Sequence, residues 1–360
     1  MKFLLIFDYE FLEKEPNMMQ SKLKLSLAFV FILIGVYIVI SCGKNEEPSI
    51  NYSWVPVGYQ LKMSSNFNEV GGWINIFFID GQIGFLSHRE NDGFSFFRTD
   101  NGCTSFTDIS NQIDGYAKEI VFPDDQTGYL VTRHFTSPSN TYNSLYKTSD
   151  KGKNWIKVEI DAFYDEIVQV GSNSPENVFI ICYEPNAFLY SNDGGDSWSI
   201  YNIDLNPIGK FEEVKFQFLK DDPNIGFFNN MQTIYKTIDG GISWDNYFEY
   251  GHENFWFIDI STAYISNTSG IFKTIDSGSS FHQLASFSPR LWQIVSDHEI
   301  YVAQVYNIQR TFNEFQNLEE METSTPSDNK IDKYIRDISF YESKKGYAIS
   351  GNGIVYKTAE

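Results

Sequence analysis

Histidine, arginine and cysteine are scarce in this sequence. Its 360 residues include five histidines, six arginines and three cysteines. No CxxC pair occurs, and the histidines do not stand at the short spacings at which zinc ligands usually recur. The sequence therefore predicts no metal site and no cofactor.

Basic residues are also few. The 27 lysines and arginines stand against 47 aspartates and glutamates, which gives a formal net charge of −20. Nucleic-acid binding depends on clustered lysine and arginine, so no nucleic-acid partner is expected. An acidic balance of this kind is typical of a solvated exterior.

Long apolar runs are absent except for one near the N-terminus. Residues 25–40 are uncharged, follow Lys22 and Lys24, and end at Ser41 and Cys42. This order predicts a signal peptide over residues 18–41, and the alternative is a retained membrane anchor. Residues 1–17 are acidic and do not fit such a signal, so we expect them to be a non-native extension from a mis-assigned start.

The residues around Cys42 resemble the lipobox of bacterial lipoproteins. They read VISC at positions 39–42, and the resemblance implies that Cys42 carries the lipid and becomes the mature N-terminus. Residues 42–50 would form a tether, which resembles the acidic tail that sends some bacterial lipoproteins to the cell surface. We therefore expect a cell-envelope protein, anchored to the outer membrane or exposed at the cell surface.

One motif recurs along the rest of the chain. It has Thr or Ser, then Asp two residues on, Gly four residues on and an aromatic residue seven residues on, as in LYKTSDKGKNW at 145–155. The four well-formed copies are Thr148/Asp150/Gly152/Trp155, Ser191/Asp193/Gly195/Trp198, Thr237/Asp239/Gly241/Trp244 and Thr274/Asp276/Gly278/Phe281.

Two weaker copies keep the length of the motif. In FFRTDNGCTSF at 96–106 the Asp-Asn-Gly is shifted by one residue. In IQRTFNEFQNL at 308–318, Asn313 replaces the aspartate and no glycine follows. We expect both copies to lose the chemistry of the motif.

A second motif recurs in phase with the first. An apolar stretch reaches an acid and is followed by Gly or Ala and an aromatic residue, as in IFFIDGQIGF at 76–85 and ISFYESKKGY at 338–347. Each repeat therefore reads as four strands joined by tight turns. Four strands in about 40–45 residues is the period of a propeller blade. We predict an all-β fold, a seven-bladed β-propeller of four-stranded antiparallel blades, over residues 51–360.

The two ends of the chain complete one blade. The seventh copy of the first motif begins at 354–360 and stops before its last strand, whereas Ser53 and Trp54 match the Ser243-Trp244 that finishes another copy. An N-terminal strand would thus close the ring and leave no open sheet edge. Cys103 and Cys182 fall in the first and third blades, which do not touch in such a ring, so we expect both thiols to be free and Cys182 to be buried.

The first motif resembles the Asp-box, or BNR, motif of bacterial sialidase-like propellers. The other motif is more similar to that of the seven-bladed propellers of the Ycf48-like family, and the resemblance covers about residues 51–360. Within the Asp box, the aspartate can accept backbone N–H bonds, the glycine permits a positive φ and the aromatic residue packs beneath. We interpret the boxes as structural turns. The alternative, a metal or catalytic role, is disfavoured because the same residues repeat from blade to blade.

The segments that lead into each blade predict a binding site at one mouth of the channel. They bring together aromatic and charged side chains, which suit sugars or peptide segments. The candidate residues are Trp73, Glu119, Glu166, Glu213, Arg290, Trp292, Tyr334 and Arg336, with Asn75, Lys118, Asn254 and Asp337 beside them. The two longest loops, 134–144 and 320–336, lie on the same side. The alternative is a hydrated mouth with its aromatic residues buried between blades.

Two functions stay open. One is a non-catalytic binding or assembly module, a monomer that holds a protein or glycan partner, as the Ycf48-like resemblance implies. The other is a sialidase-like glycan-active hydrolase, because acids from different blades could form a catalytic pair. Sialidases of this kind carry an arginine triad and an F/Y-R-I-P element, which this sequence lacks, so we favour the binding module over an enzyme. The arginine-rich patch attributed to Ycf48 is not visible either, so its photosynthetic partner is not carried over.

Overall fold

The structure, a computed structural model, covers most of the region after residue 52. It describes residues 53–60, 73–90, 93–137, 140–161, 166–183, 185–201, 203, 205, 214–230, 233–249, 254–289, 291–303, 307–323 and 335–359. The chain divides into two units, residues 1–50 and residues 51–360, and all described residues belong to the second. The predicted extension, signal peptide and lipid site Cys42 therefore lie outside the described residues.

Six sheets follow one another along the chain, each with four consecutive antiparallel strands. Blade 1 holds β2 (Trp73–Phe78), β3 (Gly84–Glu90), β4 (Gly93–Thr99) and β5 (Thr107–Asp108); blade 2 holds β6 (Tyr116–Val121), β7 (Gly128–Ser137), β8 (Asn140–Thr148) and β9 (Ile156–Val158); blade 3 holds β10 (Ile167–Ser172), β11 (Val178–Cys182), β12 (Ala187–Ser191) and β13 (Ser199–Tyr201). Blade 4 holds β14 (Phe216–Phe218), β15 (Gly226–Asn229), β16 (Thr233–Thr237) and β17 (Asp245–Glu249); blade 5 holds β18 (Asn254–Phe257), β19 (Ala263–Asn267), β20 (Gly270–Thr274) and β21 (His282–Ala285); blade 6 holds β22 (Leu291–Ile294), β23 (Ile300–Ala303), β24 (Ile308–Thr311) and β25 (Glu319–Glu320).

Blade 7 is built from both ends of the chain. It holds β27 (Ile335–Glu342), β28 (Lys345–Ser350), β29 (Ile354–Ala359) and β1 (Ser53–Gln60), with β26 (Glu322–Thr323) as a short parallel strand beside β1. Ser53 pairs with Ala359, and Val55 with Lys357, in antiparallel register. The seven-bladed all-β fold and its closure by the N-terminal strand are thus confirmed. Within the described residues, no helix is long and apolar enough to cross a membrane.

Aromatic stacking between blades explains the second motif. The aromatic residue that precedes the acid stacks on the aromatic residue of the Gly-aromatic pair in the preceding blade. Phe78 stacks on Tyr347 with ring centroids 3.6 Å apart, and Phe257 stacks on Phe227 at 3.5 Å. The glycine makes room for this ring, because a Cβ on Gly84 would come within 2.4 Å of Phe78. The two rings of each pair lie nearly parallel, and their burial adds to the apolar contacts that hold the blades together.

The tyrosine of the same motif also locks the turn of the next blade. The hydroxyl of Tyr129 in blade 2 donates to the carbonyl of Pro175 in blade 3 at 2.6 Å. The hydroxyl of Tyr347 in blade 7 donates to the carbonyl of Gly81 in blade 1 at 3.0 Å, across the closure of the ring. A buried tyrosine therefore stabilises both through its ring and through its hydroxyl.

The two kinds of turn lie on one face of the ring. In blade 2 the backbone N–H of Lys151 donates to the carbonyl of Gln126 at 2.9 Å, and in blade 4 Gly240 donates to Asn224 at 2.9 Å. These bonds join the turn after the first strand to the turn after the third strand. We name this side the Asp-box face. The opposite side, which carries the loops between second and third strands and the segments that lead into each blade, is the mouth face.

The Asp-box turns are held by one hydroxyl and one carboxylate. In residues 237–244, Thr237 Oγ1 donates to Asp239 Oδ1 at 2.7 Å and accepts from the backbone N–H of Gly241 at 2.8 Å. The same Oδ1 accepts from the N–H of Ser243 at 2.9 Å. Trp244 then packs among phenylalanines of blades 3 and 4, 4.9 Å from the ring of Phe228. The hydroxyl-to-carboxylate bond recurs in residues 148–155, 191–198 and 274–281.

The glycines of the other three well-formed boxes occupy the same place in their turns. Each N–H donates to the hydroxyl of the Thr or Ser four residues earlier, at 2.7 to 2.9 Å. The φ angles are 72° at Gly152, 98° at Gly195 and 81° at Gly278. A Cβ on Gly152 would come within 2.3 Å of Phe85 in the preceding blade. The glycine therefore serves both the turn and the close approach of two blades.

The aromatic residues that end these three boxes differ in burial. Trp155 is 6% exposed and packs edge-on against Phe85 of blade 1, with ring centroids 5.9 Å apart. Trp198 is half-buried against the apolar cluster between blades 2 and 3. Phe281 is half-buried and meets Phe248 of blade 4 edge-on at 5.4 Å. All three rings thus contribute to contacts between neighbouring blades.

The expectation that the two weaker copies lose the chemistry is wrong. Thr99 Oγ1 donates to Asn101 Oδ1 at 3.1 Å and accepts from the N–H of Cys103 at 3.0 Å, so the turn is not shifted. Thr311 Oγ1 likewise donates to Asn313 Oδ1 at 3.0 Å. An asparagine oxygen replaces the carboxylate, and Cys103 takes the glycine position with φ 69°. Six turns therefore share the geometry.

One predicted loop is a strand extension. The sequence predicts that residues 134–144 form one of the two longest loops on the side of the channel mouth. Instead β7 and β8 continue to pair, with His134 opposite Tyr142 and, after a register shift between Phe135 and Ser137, Ser137 opposite Asn140. The rings of His134 and Tyr142 stack at 4.5 Å. Cross-strand pairing of aromatic residues stabilises such a hairpin.

Candidate functional site

The first strand of each blade lines the central channel, and polar side chains join these strands to one another. Gln293 in blade 6 donates from Nε2 to the carbonyl of Phe340 in blade 7 at 2.8 Å and accepts from its N–H at 2.8 Å. Gln217 in blade 4 makes the same pair of bonds with Phe257 in blade 5, both at 2.7 Å. A side-chain amide thus satisfies backbone groups that have no strand partner on the channel side.

Charged side chains gather in the channel wall of blades 7, 1 and 2. A cavity of about 250 Å³ there is lined by Asn75, Lys118, Glu119 and Asp337, among others. Lys118 Nζ donates to the carbonyl of Val168 at 2.6 Å. Asn75 Nδ2 donates to the carbonyl of Lys118 at 3.0 Å. The cavity therefore has groups of both charges and a carboxamide held by neighbouring backbone.

Asp337 joins the last blade to the first. One oxygen, Oδ2, accepts from the N–H of Ile76 at 2.9 Å, and Oδ1 accepts from the N–H of Ile338 at 2.8 Å. Removal from bulk water raises the pKa of Asp337 to about 7, the two N–H bonds act against the rise, and Glu119 adds to it. This carboxyl therefore exchanges its proton near neutral pH.

Lys215 in blade 4 is the second titrating group of the channel. Its Nζ donates to the carbonyl of Phe255 at 2.9 Å and to Asn254 Oδ1 at 3.2 Å. Burial lowers the pKa of Lys215 to about 8, and the negative charge of Glu119 acts against the fall. The channel wall thus carries an acid and an amine whose pKa values are close to each other.

A second cavity lies on the mouth face between blades 1 and 2. Its volume is about 120 Å³, and its lining includes Arg89, Phe94, Arg133, His134 and Phe135. The guanidinium of Arg89 lies 3.4 Å from the centroid of the Phe135 ring, which belongs to the extended β7–β8 hairpin. Cations over aromatic faces are a common way to hold an arginine in place. In this acidic chain, the cavity combines two arginines with apolar rings.

Three of the described candidate residues lie in different parts of the wall and mouth. Glu119 Oε1 accepts from Gln169 Nε2 at 2.7 Å in the channel wall. Glu166 lies just before β10, and its carbonyl accepts from the N–H of Tyr183 at 2.9 Å. Trp73 begins β2 at the mouth face, opposite Arg89 in the strand register.

The remaining candidates are partly covered by neighbouring residues or lie outside the described residues. Trp292 is half-buried and packs against an apolar cluster that includes Tyr264 and Ile294, so protein covers part of its ring. Arg336 is half-buried at a bulge in β27. The candidates Glu213, Arg290 and Tyr334 lie outside the described residues.

The glycines and aromatic residues of the Asp boxes lie apart from the channel-wall cavity and the mouth-face cavity. They stand in the turns of the Asp-box face or between blades, where they make the contacts given above. The described linings of these two cavities contain none of Gly152, Trp155, Gly195, Trp198, Gly241, Trp244, Gly278 and Phe281. Their positions therefore fit a structural role better than a catalytic or metal-binding one.

Sequence reasoning missed the paired arginines of the mouth face and two polar residues of the channel. Arg89 and Arg133 stand 44 positions apart (133 minus 89), and only the register of β3 and β7 in adjacent blades brings them to one cavity. Gln169 and Lys215 lie within strand patterns that read as ordinary blade residues. The signal available in the sequence was the alternation of polar residues along the first strand of each blade, which indicates side chains that face the channel.

Cys103 and Cys182 are buried, and neither forms a disulfide within the described residues. Burial raises the pKa of the Cys103 thiol to about 12, and Lys357 acts against the rise. A thiol of this kind is inert as a nucleophile because almost none of it is ionised at neutral pH. In the described part of the chain, no group of His, Cys, Asp and Glu is placed to hold a metal ion.

The fold and the repeated turns define an Asp-box β-propeller. The family described as photosynthesis system II assembly factor YCF48 matches residues 103–360, more than two thirds of the chain. The chain belongs to this family. No curated protein sequence matches this chain.

Solved structures agree with the fold. A structure described as YCF48 bound to D1 peptide is 14% identical, with a TM-score of 0.58, and the match covers 86% of this chain and 97% of that one. YCF48 from Cyanidioschyzon merolae is also 14% identical, with a TM-score of 0.58 and coverage of 85% and 98%. The GH74 enzyme of Niastella koreensis is 14% identical, with a TM-score of 0.55; the match covers 84% of this chain but only 53% of the enzyme.

Proposed function

We propose that this chain is a binding propeller that holds a polypeptide partner at its mouth face and catalyses no reaction. The observation that carries the proposal is the mouth-face cavity, where Arg89 and Arg133 meet Phe94 and Phe135. Guanidinium groups bind carboxylates in a bidentate manner, and aromatic rings accept apolar side chains. A polypeptide segment with an acidic group and an apolar side chain fits this chemistry.

Membership of the family supports a protein rather than a glycan partner. One structure of the family member YCF48 is described with a bound D1 peptide, so the same propeller architecture accommodates a polypeptide in a relative. The low identity leaves the partner of this chain open, and its chemistry is argued from the cavity. A glycan partner, held by stacking at the channel mouth, is the competing outcome of the test.

We further propose that the propeller is tethered to the cell envelope. The sequence pattern of residues 18–42 supports removal of a signal peptide and acylation of Cys42. Anchoring would concentrate the propeller at the outer membrane or cell surface, where envelope polypeptides are its available partners.

A capture experiment tests the binding proposal. Immobilised wild-type protein should retain a polypeptide from envelope extract, and Arg133→Ala should weaken its retention about fivefold or more, since anchor residues contribute about 1–3 kcal/mol. Arg89→Lys keeps the charge but loses the bidentate fork, so it should also weaken binding. Lys153→Ala, an exposed basic residue on the Asp-box face, is the matched control. Equal retention by Arg133→Ala, with its melting temperature unchanged, would refute the mouth-face site.

A glycan array and an activity assay separate the alternatives. We expect no saturable binding to envelope glycans and no release of sugar by the purified protein. Sugar release that is lost on Glu119→Gln or Glu166→Gln would move the protein to the glycan-active hydrolases and overturn the proposal.

A further inference from the structure

Four exposed isoleucines interrupt the polar Asp-box face. Ile238 and Ile242 lie in the Asp-box turn of blade 4, with 62% and 78% of their surface exposed, and Ile275 in the turn of blade 5 is 71% exposed. Ile260, in the turn after β18, is 39% exposed. Tyr247 Oη bridges the two blades here by donating to the carbonyl of Ile260. Together these isoleucines form what we call the isoleucine patch.

The turn architecture does not require these isoleucines. The residue after the first Thr or Ser is Asp100, Ser149 and Asn192 in blades 1 to 3, whereas it is Ile238 and Ile275 in blades 4 and 5. All five turns have the same hydrogen bonding, so the position tolerates polar residues. Apolar residues that are exposed in the turns of neighbouring blades and are not required by the turn mark an interaction surface.

A cavity borders the patch between blades 3 and 4. Its volume is about 460 Å³, and its lining includes Asn173, Asp239 and Ile242. Asn173 Nδ2 donates to the carbonyls of Pro223 and Gly240, at 2.9 and 3.0 Å, which fixes the orientation of the amide. The other amide atom, Oδ1, is buried and accepts no hydrogen bond from the described residues. It is therefore a buried acceptor without a donor beside the cavity.

Asp239 adds a negative charge to the same cavity. Partial burial alone would raise the pKa of Asp239, but hydrogen bonds from Ser243 and Thr237 outweigh it and hold the pKa below its usual value. Its Oδ2 accepts one hydrogen bond, from Ser243 Oγ at 2.6 Å, and a carboxylate oxygen can accept a second. A carboxylate in the lining of this cavity suits an arginine or lysine head group.

The surroundings of the patch are acidic. The turns of blades 4 and 5, residues 219–225, 237–245, 258–262 and 274–281, contain six aspartates and one lysine. This charge opposes a second copy of the chain, which would bring the same acids face to face, and it opposes an anionic lipid surface. It complements a basic partner.

We propose that the Asp-box face of blades 3 to 5 docks a basic, apolar polypeptide segment, with apolar side chains on the isoleucine patch and an arginine or lysine in the adjoining cavity. The surface is separate from the mouth-face cavity and lies on the opposite side of the ring. A propeller with both sites bridges two polypeptides, as an assembly module would.

The test uses three labelled synthetic peptides of twelve residues and the purified full chain, with binding followed by fluorescence anisotropy. One peptide alternates leucine with arginine, one alternates serine with arginine, and one alternates leucine with glutamate. We expect saturable binding of the leucine–arginine peptide and at least tenfold weaker binding of the other two. Tight binding of the serine–arginine peptide would show attraction by net charge alone and overturn the proposal.

Variants distinguish the patch from other exposed isoleucines. Ile238→Ser combined with Ile242→Ser should weaken binding of the leucine–arginine peptide at least tenfold without changing the melting temperature. Ile156→Ser combined with Ile200→Ser is the matched control, because these side chains are 72% and 60% exposed on outer strands of blades 2 and 3. Equal effects of the two pairs would overturn the proposal. So would isoleucine-dependent binding to phosphatidylcholine or phosphatidylglycerol vesicles with no peptide binding.

Discussion

The hydroxyl of Thr or Ser is the group that the six Asp-box turns share without exception. It donates to the Asp or Asn side chain and accepts from the N–H four residues further on, so one oxygen satisfies two partners. Asp and Asn are interchangeable in this role because each presents an oxygen to the hydroxyl and to backbone N–H groups. The glycine is replaceable as well, since Cys103 supplies the same N–H from a positive φ.

Removing one carboxylate tests the structural role of these turns. Asp239→Ala leaves the hydroxyl of Thr237 and the N–H of Ser243 without their acceptor. The free energy of unfolding should fall by about 1–3 kcal/mol, measured by urea denaturation. Asp245→Ala, at an exposed position one residue after Trp244, should leave it unchanged. An unchanged stability for Asp239→Ala would contradict the structural role.

Two adjacent glycines separate backbone strain from steric clash. Gly240 and Gly241 both have positive φ, at 73° and 91°. A Cβ on Gly240 would find its nearest neighbour at 3.3 Å, but on Gly241 it would come within 2.3 Å of the Phe179 ring. Gly240→Ala should therefore lower stability by about 1 kcal/mol from strain alone.

Gly241→Ala should lower stability by a further 1–3 kcal/mol or so, because the ring must move. Thermal unfolding of the two variants gives the comparison. Equal losses would mean that the blade shifts freely at this contact.

At the level of the strands, neighbouring blades contact each other through the first strands that line the channel. Asp337 links blade 7 to blade 1 by its hydrogen bond from Ile76. Its folded pKa is about 7, above the usual value of 3.8, so the folded state binds this proton more tightly than the unfolded state. Between pH 4 and pH 7 the protonated carboxyl favours folding, and that contribution is lost as the pH rises through 7.

Comparison with Asp337→Asn isolates this contribution. The stability of wild type minus that of the variant should fall by about 2–4 kcal/mol between pH 4 and pH 8, because three pKa units correspond to about 4 kcal/mol. Other acids whose pKa is lowered, such as Asp114 and Asp259, titrate equally in both proteins and cancel. A difference that does not change with pH would contradict a raised pKa at Asp337.

Local patterns predicted the blades because each carries its own turn signals and aromatic spacing. The hairpin extension of β7 and β8 was missed, since its strands rely on cross-strand pairs such as His134 with Tyr142 rather than on apolar alternation. The cavity of Arg89 and Arg133 depends on the register between two blades, which no local pattern contains. The sequence places Trp292 at the mouth of the channel as a candidate binding residue. Only the packing between blades shows that part of its ring is covered.

On the largest scale, the described residues of the second unit form a closed ring with two faces of different character. The mouth face carries paired arginines in a cavity, whereas the Asp-box face carries aspartates around exposed isoleucines. Closure by β1 makes the ring independent of a neighbouring molecule for its last sheet edge.

The proposed lipid anchor at Cys42 is tested on the intact protein. Metabolic labelling with a palmitate analogue should mark wild type and leave Cys42→Ala unmarked, since a thioether to lipid needs this thiol. Mass spectrometry of the mature protein should find no residues 1–41. Equal labelling of both proteins would contradict acylation at Cys42.

Photo-crosslinking in the cell envelope shows whether a polypeptide binds at the mouth face. A benzophenone amino acid replaces Phe94, which lines the mouth-face cavity, or Ser199, which is exposed on the outer strand β13. We expect a polypeptide crosslinked through position 94 and none through position 199. Crosslinks of equal yield at both positions, or a glycan in place of a polypeptide at position 94, would contradict polypeptide binding at the mouth face.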